Sequence, residues 1–407
     1  MHTDIRRWNK TLGRFCFGLV VVLVFAHAAA GSTVAIVKGE DPDKMVEEAI
    51  NLVGGIQQFA RAGSTIVIKP NLTCCSRMHP DASPPGANTD PRIVRALIKL
   101  IKRTAQCHII IADASQAPGS VIFKMSGYTQ LAEEFGIPLV DLAEDQRVTV
   151  KIDGLAQKEY QMPVTTQKCD VLIDVAVLKT HTITGITAGM KNLFGLMPKR
   201  RESLHNVIHK VICDLSTIRM PDLTIIDALT GMEGQGPVDG DPVKMDLIIA
   251  GKDIVAVDSV STTIMGFEPE YLQYLVYANQ KGLGEIDINK ITIKGVPVSE
   301  VKRNFKPALA DLIIEKEKSD ELIAKITALA DRVETEKKYK PFAYFNPERL
   351  KTDNKKYPLR KSYGFKVGAF PWHNTMIQFL VPYEAIYAQN KDAAHEEIEA
   401  WIAENLK

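Results

Sequence analysis

From Ser32 to about residue 300 the chain alternates short β-branched runs with longer stretches whose apolar residues recur at i, i+3 and i+4. The runs cover 33–37, 65–68, 108–112, 138–141, 171–177, 223–227, 247–250 and 291–293; the helical stretches cover 42–62, 91–104, 129–135, 204–217, 253–265 and 270–280. Parallel strands need a crossover long enough to hold a helix, so this alternation predicts βαβ units. The expected fold class is α/β, a mainly parallel sheet flanked by helices. Residues 148–164 interrupt the pattern with Val-Thr-Val-Lys-Ile, a glycine and a second extended piece, which reads as an inserted β-hairpin. A boundary between two lobes is expected near 145–170 of a domain covering 32–300.

Past Lys302 the texture changes. Residues 308–334 read as a long charged amphipathic helix, 337–363 are rich in Lys, Tyr and Pro, and 392–406 read as a terminal helix, so 301–407 is expected to be a mostly helical extension. Lys337, Lys338, Tyr339 and Lys340 with Tyr344 and Phe345 mix bases and aromatics as some nucleic-acid surfaces do. Glu334, Glu336 and Glu348 dilute that charge, and a solvated linker is the simpler reading. Fifty Lys plus Arg against forty-nine Asp plus Glu leave no overall field to attract nucleic acid or anionic lipid. No nucleic-acid partner is expected, and no membrane contact beyond an export signal.

Residues 1–30 carry that signal: a basic start (Arg6, Arg7, Lys10, Arg14), an apolar stretch and the small residues Ala28, Ala29 and Ala30. This is the layout of a secretory leader cut near Ala30, giving a periplasmic or extracellular protein. An uncleaved anchor is the alternative, and Arg6-Arg7 leaves twin-arginine export open beside the general route. Removing four basic residues and one acid leaves 46 Lys plus Arg against 48 Asp plus Glu. Five cysteines remain, none spaced Cys-x-x-Cys, which argues against an iron–sulfur cluster or structural zinc built from one local motif.

The densest chemistry follows the apolar run 171–177: Lys179, Thr180, His181, then Gly185, Gly189, Lys191, Asn192 and Gly195. Strand-end loops of α/β sheets open into a crevice at the carboxyl edge, where ligands bind. Amides preceding a short helix at 190–196 are expected to receive an anionic group, with Lys179 and Lys191 supplying charge and His181 a titratable base. Lys191 lies among Met190, Leu193 and Phe194, where burial lowers an amine's pKa and makes it a candidate nucleophile. A second cluster, Lys69 and Asn71, ends another strand, with Thr89 and Asp90 opening the next helix. Glu233 and Gln235 sit in a glycine-rich turn at 231–237 and are expected to face a ligand. His205 and His209, at i and i+4, share a helix face and, with His181, are the candidate metal ligands.

Six ordered motifs resemble the domain-of-unknown-function family number 362: Lys-Pro-Asn at 69–71, Thr-Asp-Pro at 89–91, Leu-Lys-Thr-His at 178–181, Lys-Asn at 191–192 with Gly195, Met-Glu-Gly-Gln-Gly-Pro at 232–237, and Ala-Val-Asp at 256–258. Members of that family with iron–sulfur clusters carry a ferredoxin-like cysteine block, and this chain has none. A more distant resemblance is to the nickel-pincer lactate racemase family, on the spacing His181, Gly185, Gly189, Lys191 and the Thr89–Arg92 loop. That resemblance implies a base at His181, a nickel-pincer-type cofactor attached to Lys191, and a second histidine for which His205 and His209 are both candidates. The expectation is an exported enzyme that binds a small anionic substrate or cofactor between lobes, with racemase- or epimerase-like proton transfer. A non-catalytic periplasmic or extracellular ligand-binding protein is the alternative.

Overall fold

The computed structural model describes residues 31–73, 84–181, 183–198, 201–234, 236–307, 311–315, 365–369 and 374–379. In chain order the elements are β1 (Thr33–Lys38), α1 (Pro42–Leu52), β2 (Thr65–Pro70), α2 (Pro91–Thr104), β3 (His108–Asp113), α3 (Gly119–Met125), α4 (Tyr128–Phe135), β4 (Leu139–Asp141), β5 (Arg147–Lys151), β6 (Glu159–Pro163), α5 (Val164–Lys168), β7 (Val171–His181), β8 (Gly185–Thr187), α6 (Gly189–Asn192), α7 (Ile208–Ile218), β9 (Leu223–Glu233), β10 (Asp241–Gly251), α8 (Ile254–Ile264), α9 (Gln273–Gln280), β11 (Thr292–Gly295), α10 (Val298–Val301), β12 (Asp311–Glu315), β13 (Phe365–Ala369) and β14 (Asn374–Phe379). Two 3₁₀ turns, Leu193–Leu196 and Arg201–Val207, separate α6 from α7.

Local chemistry sets the helix ends. Asp41, Asp90 and Asp253 each accept backbone N–H groups of the first turn of α1, α2 and α8, with Pro42 and Pro91 opening the first two. The periodicity over 42–62 predicts one long helix, yet α1 stops at Leu52, because Gly54 and Gly55 take φ of 114° and 88°, which ends a right-handed helix.

Nine strands form one sheet in the order β11-β1-β10-β9-β7-β2-β3-β4, with β8 folded back on the end of β7. The β9, β7, β2, β3 and β4 strands run parallel, as expected from the alternation. The 223–227 and 247–250 runs, however, belong to an antiparallel hairpin, β9 with β10, and β10 also runs antiparallel to β1. The seven residues between Glu233 and Asp241 are too few for a crossover helix, so the chain can only turn back. The sheet is therefore mixed and mostly parallel.

Both faces are covered, and alternate strand residues divide between them. Val34, Ile36, Val67, Leu172 and Ala176 join the core that contains residues of α6, α7, α8 and α9. Ala35, Val37, Ile66, Ile68 and Ile173 join the core that contains residues of α1, α2 and α4. The expected hairpin is present as β5 and β6, which pair only with each other. Strands on its two sides, β4 and β7, both belong to the nine-stranded sheet, which is continuous across the stretch where a lobe boundary is expected. In the extension, 311–315 is a strand where a helix over 308–334 is expected; β12, β14 and β13 form a three-stranded antiparallel sheet. Its Leu-Ile-Ile core suits an extended backbone better than a helix. The rest of the expected helix, the basic aromatic run, the terminal helix and the leader lie outside the described residues.

Candidate functional site

Parallel strands put their carboxyl ends on one edge, and β2 and β7 are direct neighbours, paired from Ile66 with Val171 to Pro70 with Val175. This brings the Lys69 and His181 segments to a common edge. Strand β7 runs four residues past the end of the expected run at 177. Side chains alternate along it, so Lys179 and His181 share one face and Thr180 takes the other. Lys179 and His181 line a cavity of about 100 Å³ together with Asn71 and Thr73 after β2, Asp113 and Ser115 at the end of β3, Thr187 of β8, Lys191 and Asn192 of α6, Phe194, Arg201 and His205 of the 3₁₀ turns, and Pro237.

A fully bonded polar network lies beside it. Lys69 Nζ donates to Asp113 Oδ1 at 2.6 Å, to Asn192 Oδ1 at 3.0 Å and to the Pro70 carbonyl at 3.2 Å, which accounts for all three of its protons. Asp113 Oδ2 accepts the Leu72 N–H at 2.8 Å. Asn192 also receives the Asn71 amide at 2.8 Å and donates to Asp174 at 2.8 Å. Burial raises the Asp113 and Asp174 carboxyls despite Lys69 nearby. A Cβ on Gly195 would lie 2.6 Å from Asp113 Oδ1 and 2.8 Å from Lys69 Nζ, so only glycine lets the turn pack on this pair. Lys69, expected in the second site cluster, is not a lining residue; it contributes charge and holds Asp113 and Asn192 in place.

The amines on the cavity itself are different. Lys179 is fully buried and donates only to Thr73 Oγ1, at 3.1 Å, and to the Ala87 carbonyl. Burial, then the neighbouring Lys191, push its pKa well down. Lys191 is brought down to about 7 by burial, with Arg201 and Lys69 adding repulsion. An ordinary lysine at pH 7 is neutral less than one time in a thousand, whereas Lys191 is neutral about half the time. Lys191 Nζ and the Arg201 guanidinium both lie over the Phe194 ring, 5.0 and 5.5 Å from its centroid. Neither Lys179 nor Lys191 is ion-paired to a carboxylate among the described residues.

His181 is 6% exposed, and its Nδ1 accepts the backbone N–H of Ile183 at 3.0 Å. An acceptor at Nδ1 leaves the imidazole proton on Nε2, so the ring presents an N–H donor. That overturns the expectation of His181 as a proton-accepting base: protonating Nδ1 would break this bond and set two N–H groups against each other. Three polar atoms of lining residues, Asn71 Oδ1, Ser115 Oγ and Thr187 Oγ1, are buried without a hydrogen-bond partner among the described residues.

Other expected site residues serve elsewhere. The Gly189 and Met190 amides, expected to receive an anion, donate to Asp258 at 2.7 and 3.0 Å. Burial raises that carboxyl to about 7. Thr180 donates to the Gly234 carbonyl at 2.8 Å, tying β7 to the glycine-rich turn. Glu233 accepts the Lys306 N–H at 3.0 Å and so faces the segment after α10, not the cavity. Gln235 lies outside the described residues. Thr89 bonds the Val175 carbonyl and the Asn71 N–H. With Asp90, Arg92 and Asp227 it borders a separate cavity of about 400 Å³. His205 meets Phe194 edge-on at 5.1 Å, while His209 stacks on Tyr274 at 5.8 Å and is lowered to about 4 by burial. The two histidines thus diverge. Ser115, Thr187 and Arg201 give little sequence signal, since a hydroxyl after a strand and an arginine in a Lys-Arg-Arg run are what ordinary surfaces contain.

These features define a class: an α/β protein with a cation-lined cavity at the carboxyl edge of a mixed sheet. The family model described as "Domain of unknown function (DUF362)" matches residues 66–263, from β2 to α8. The chain is 27% identical over 241 residues to "Thylakoid-associated protein sll1697" of Synechocystis sp. (strain ATCC 27184 / PCC 6803 / Kazusa), covering 57% of this chain and 72% of that protein. Among solved structures it is similar to the lactate racemase apoprotein from Thermoanaerobacterium thermosaccharolyticum, with 10% identity and a TM-score of 0.40, covering 57% of each chain.

The nickel-pincer cofactor implied by the racemase resemblance does not fit the donors present. With its proton on Nε2, His181 has no free lone pair for a metal, and among the described residues no three His, Cys, Asp or Glu side chains converge on one point. The cavity of about 100 Å³ is also well below the roughly 300 Å³ at which pockets for larger ligands begin. No helix of the described residues is long and apolar enough to cross a membrane.

Proposed function

We propose that this cavity binds a small organic anion and that the protein is an enzyme that moves a proton on it. The observation behind the reading is the pair Lys179 and Lys191, two amines drawn out of water beside one cavity with no carboxylate paired to them among the described residues. A buried ammonium either gives up its proton or acquires an anion, because an uncompensated buried charge costs several kcal/mol. As a neutral amine Lys179 gives its two N–H groups to Thr73 and Ala87 and keeps its lone pair, which makes it the base. The Nε2–H of His181 is then the donor for an oxygen that gains charge as the proton leaves. Lys191 and Arg201 supply the field that holds the anion.

The test is proton exchange in D₂O, followed by NMR, on short acids such as glycolate, alanine and pyruvate. Exchange of the proton next to the carboxylate or carbonyl is expected for at least one of them. His181→Ala should slow it by about a hundredfold while affinity changes only a few fold. Binding with no exchange of any acid would overturn the enzyme and leave the second reading, a ligand-binding protein. That reading is favoured by the Ser115 and Thr187 hydroxyls, which serve capture as well as chemistry. Export is part of the proposal: mass spectrometry of the periplasmic or secreted protein should find Gly31 at its start, and an intact Met1 in the membrane fraction would mark an anchor.

A further inference from the structure

Space, charge and unsatisfied polar atoms together narrow the occupant of the cavity. A cavity of about 100 Å³ is small against the roughly 300 Å³ of pockets for larger ligands, which favours a short acid. The anion would meet Lys191 and the two hydroxyls of Ser115 and Thr187, all able to donate. Asn71 Oδ1 is the exception. It is an acceptor, its own amide nitrogen is held by Asn192, and nothing donates to it among the described residues. An occupant that carries a donor, or gains one in the cavity, would satisfy it.

We infer that Lys191 captures a short acid bearing an aldehyde or ketone next to its carboxylate, as a protonated imine. This rests on the anion-binding reading of the cavity. The Lys191 amine adds to the carbonyl carbon, forming the C–N bond and a carbinolamine whose hydroxyl is the former carbonyl oxygen. That oxygen then leaves as water, taking one proton from the amine and one from solvent, and the nitrogen retains one proton as the iminium. No oxidant or reductant is involved. His181 Nε2–H polarises the carbonyl oxygen, the iminium N–H or the carbinolamine hydroxyl meets Asn71 Oδ1, and the Ser115 and Thr187 hydroxyls donate to the carboxylate. Lys191 suits the nucleophile's part better than Lys179, which is tied to Thr73 and Ala87, whereas Lys191 is only partly buried and is held by a ring contact alone. Two mutually repelling amines beside one cavity is a known way to keep a lysine nucleophilic.

The experiment treats the full chain at pH 7 with glyoxylate, the smallest acid with an adjacent carbonyl, and cyanoborohydride, which reduces an imine to a stable secondary amine. Peptide mapping should place one carboxymethyl group on Lys191, at a rate on the order of a hundredfold above exposed lysines such as Lys44, because Lys191 has far more neutral amine at that pH. Lys191→Arg, which cannot form an imine, should lose the adduct while keeping the circular-dichroism melting curve of the unaltered protein, a control for folding. Modification spread evenly over exposed lysines, or confined to Lys179, overturns the inference. Glyoxylate binding without any adduct overturns the imine and leaves the anion site standing. Absence of binding by glyoxylate, acetate and pyruvate alike overturns both.

Discussion

At the scale of single residues, Lys69 and Lys191 show how burial sorts two lysines into opposite roles. Lys69 has a carboxylate, an amide and a carbonyl around its three protons; Lys191 has an aromatic face and repelling cations. Removing Lys69 strands Asp113 and Asp174, both fully or nearly fully buried. Lys69→Met should therefore cost about 3–5 kcal/mol in urea denaturation, the range for breaking a buried pair from one side. The double variant Lys69→Met, Asp113→Leu should recover a good part of that loss, since no orphaned charge remains at Asp113. A double variant no more stable than the single one would show that the pair does not act as a unit. Sequence made Lys69 stand out as a lysine directly after apolar strand residues, but it could not tell a structural ammonium from a ligand contact. The partners that decide this, Asp113 and Asn192, are 44 and 123 positions away.

At the scale of elements, α6 is too short to hold itself together, and Asp258 of α8 holds it by accepting the Gly189 and Met190 amides. Gly189 is needed for that approach: a Cβ there would lie 2.7 Å from Thr224 Cγ2 and 3.1 Å from Asp258 Oδ1. The Ala-Val-Asp motif at 256–258 is thus a positioning device for Lys191 and Asn192. Asp258→Asn puts an NH₂ against one of the two amides, and the expected cost is about 1–3 kcal/mol for the unpaired buried group. It should also weaken anion binding, although Asp258 is not a lining residue. Unchanged anion affinity in a folded Asp258→Asn protein would remove the positioning role. At this scale much was legible: α2 spans the expected 91–104, and the carboxyl-edge placement of the 69–71 and 179–181 segments follows from the parallel strands between them. The β9–β10 hairpin was not, because strand direction depends on the connection and a glycine-rich stretch reads the same in a loop or a hairpin tip. Nor was the occupancy of the α6 amides, which depends on a carboxylate 69 residues downstream.

For the whole molecule, the buried titratable groups impose a shape on stability against pH. Asp227 and Asp258 are raised to about 7, and Asp113 and Asp174 are raised as well, in each case chiefly by burial. Between about 4, where these carboxyls titrate in the unfolded chain, and about 7, these four groups hold more protons in the native state and make stability fall as pH rises, opposed between about 4 and 6.5 by the single His209, which burial lowers to about 4. Lys191 is lowered to about 7 and Lys179 is lowered well below its ordinary value. From about 7 to about 10.4 the unfolded chain holds the extra protons, and stability rises with pH. The exposed acids lowered by their partners, Glu47, Glu134, Asp153 and Asp287, gain their advantage only above their ordinary values near 4 and lose it below, so they act on the acid side of this window. Urea midpoints measured from pH 4.5 to 9.5 should pass through a minimum near 7, opposite to the common maximum there. A saturating acid that pairs with the two amines should fill in that minimum, by about 2.7 kcal/mol at a hundred times its dissociation constant. Lys191→Met should make the alkaline arm shallower, and Asp258→Asn the acid arm, each leaving the other in place. A single broad maximum at neutrality, unmoved by either substitution, would mean that the groups facing the cavity are not held out of water, and the chemical reading of the cavity would lose its physical basis.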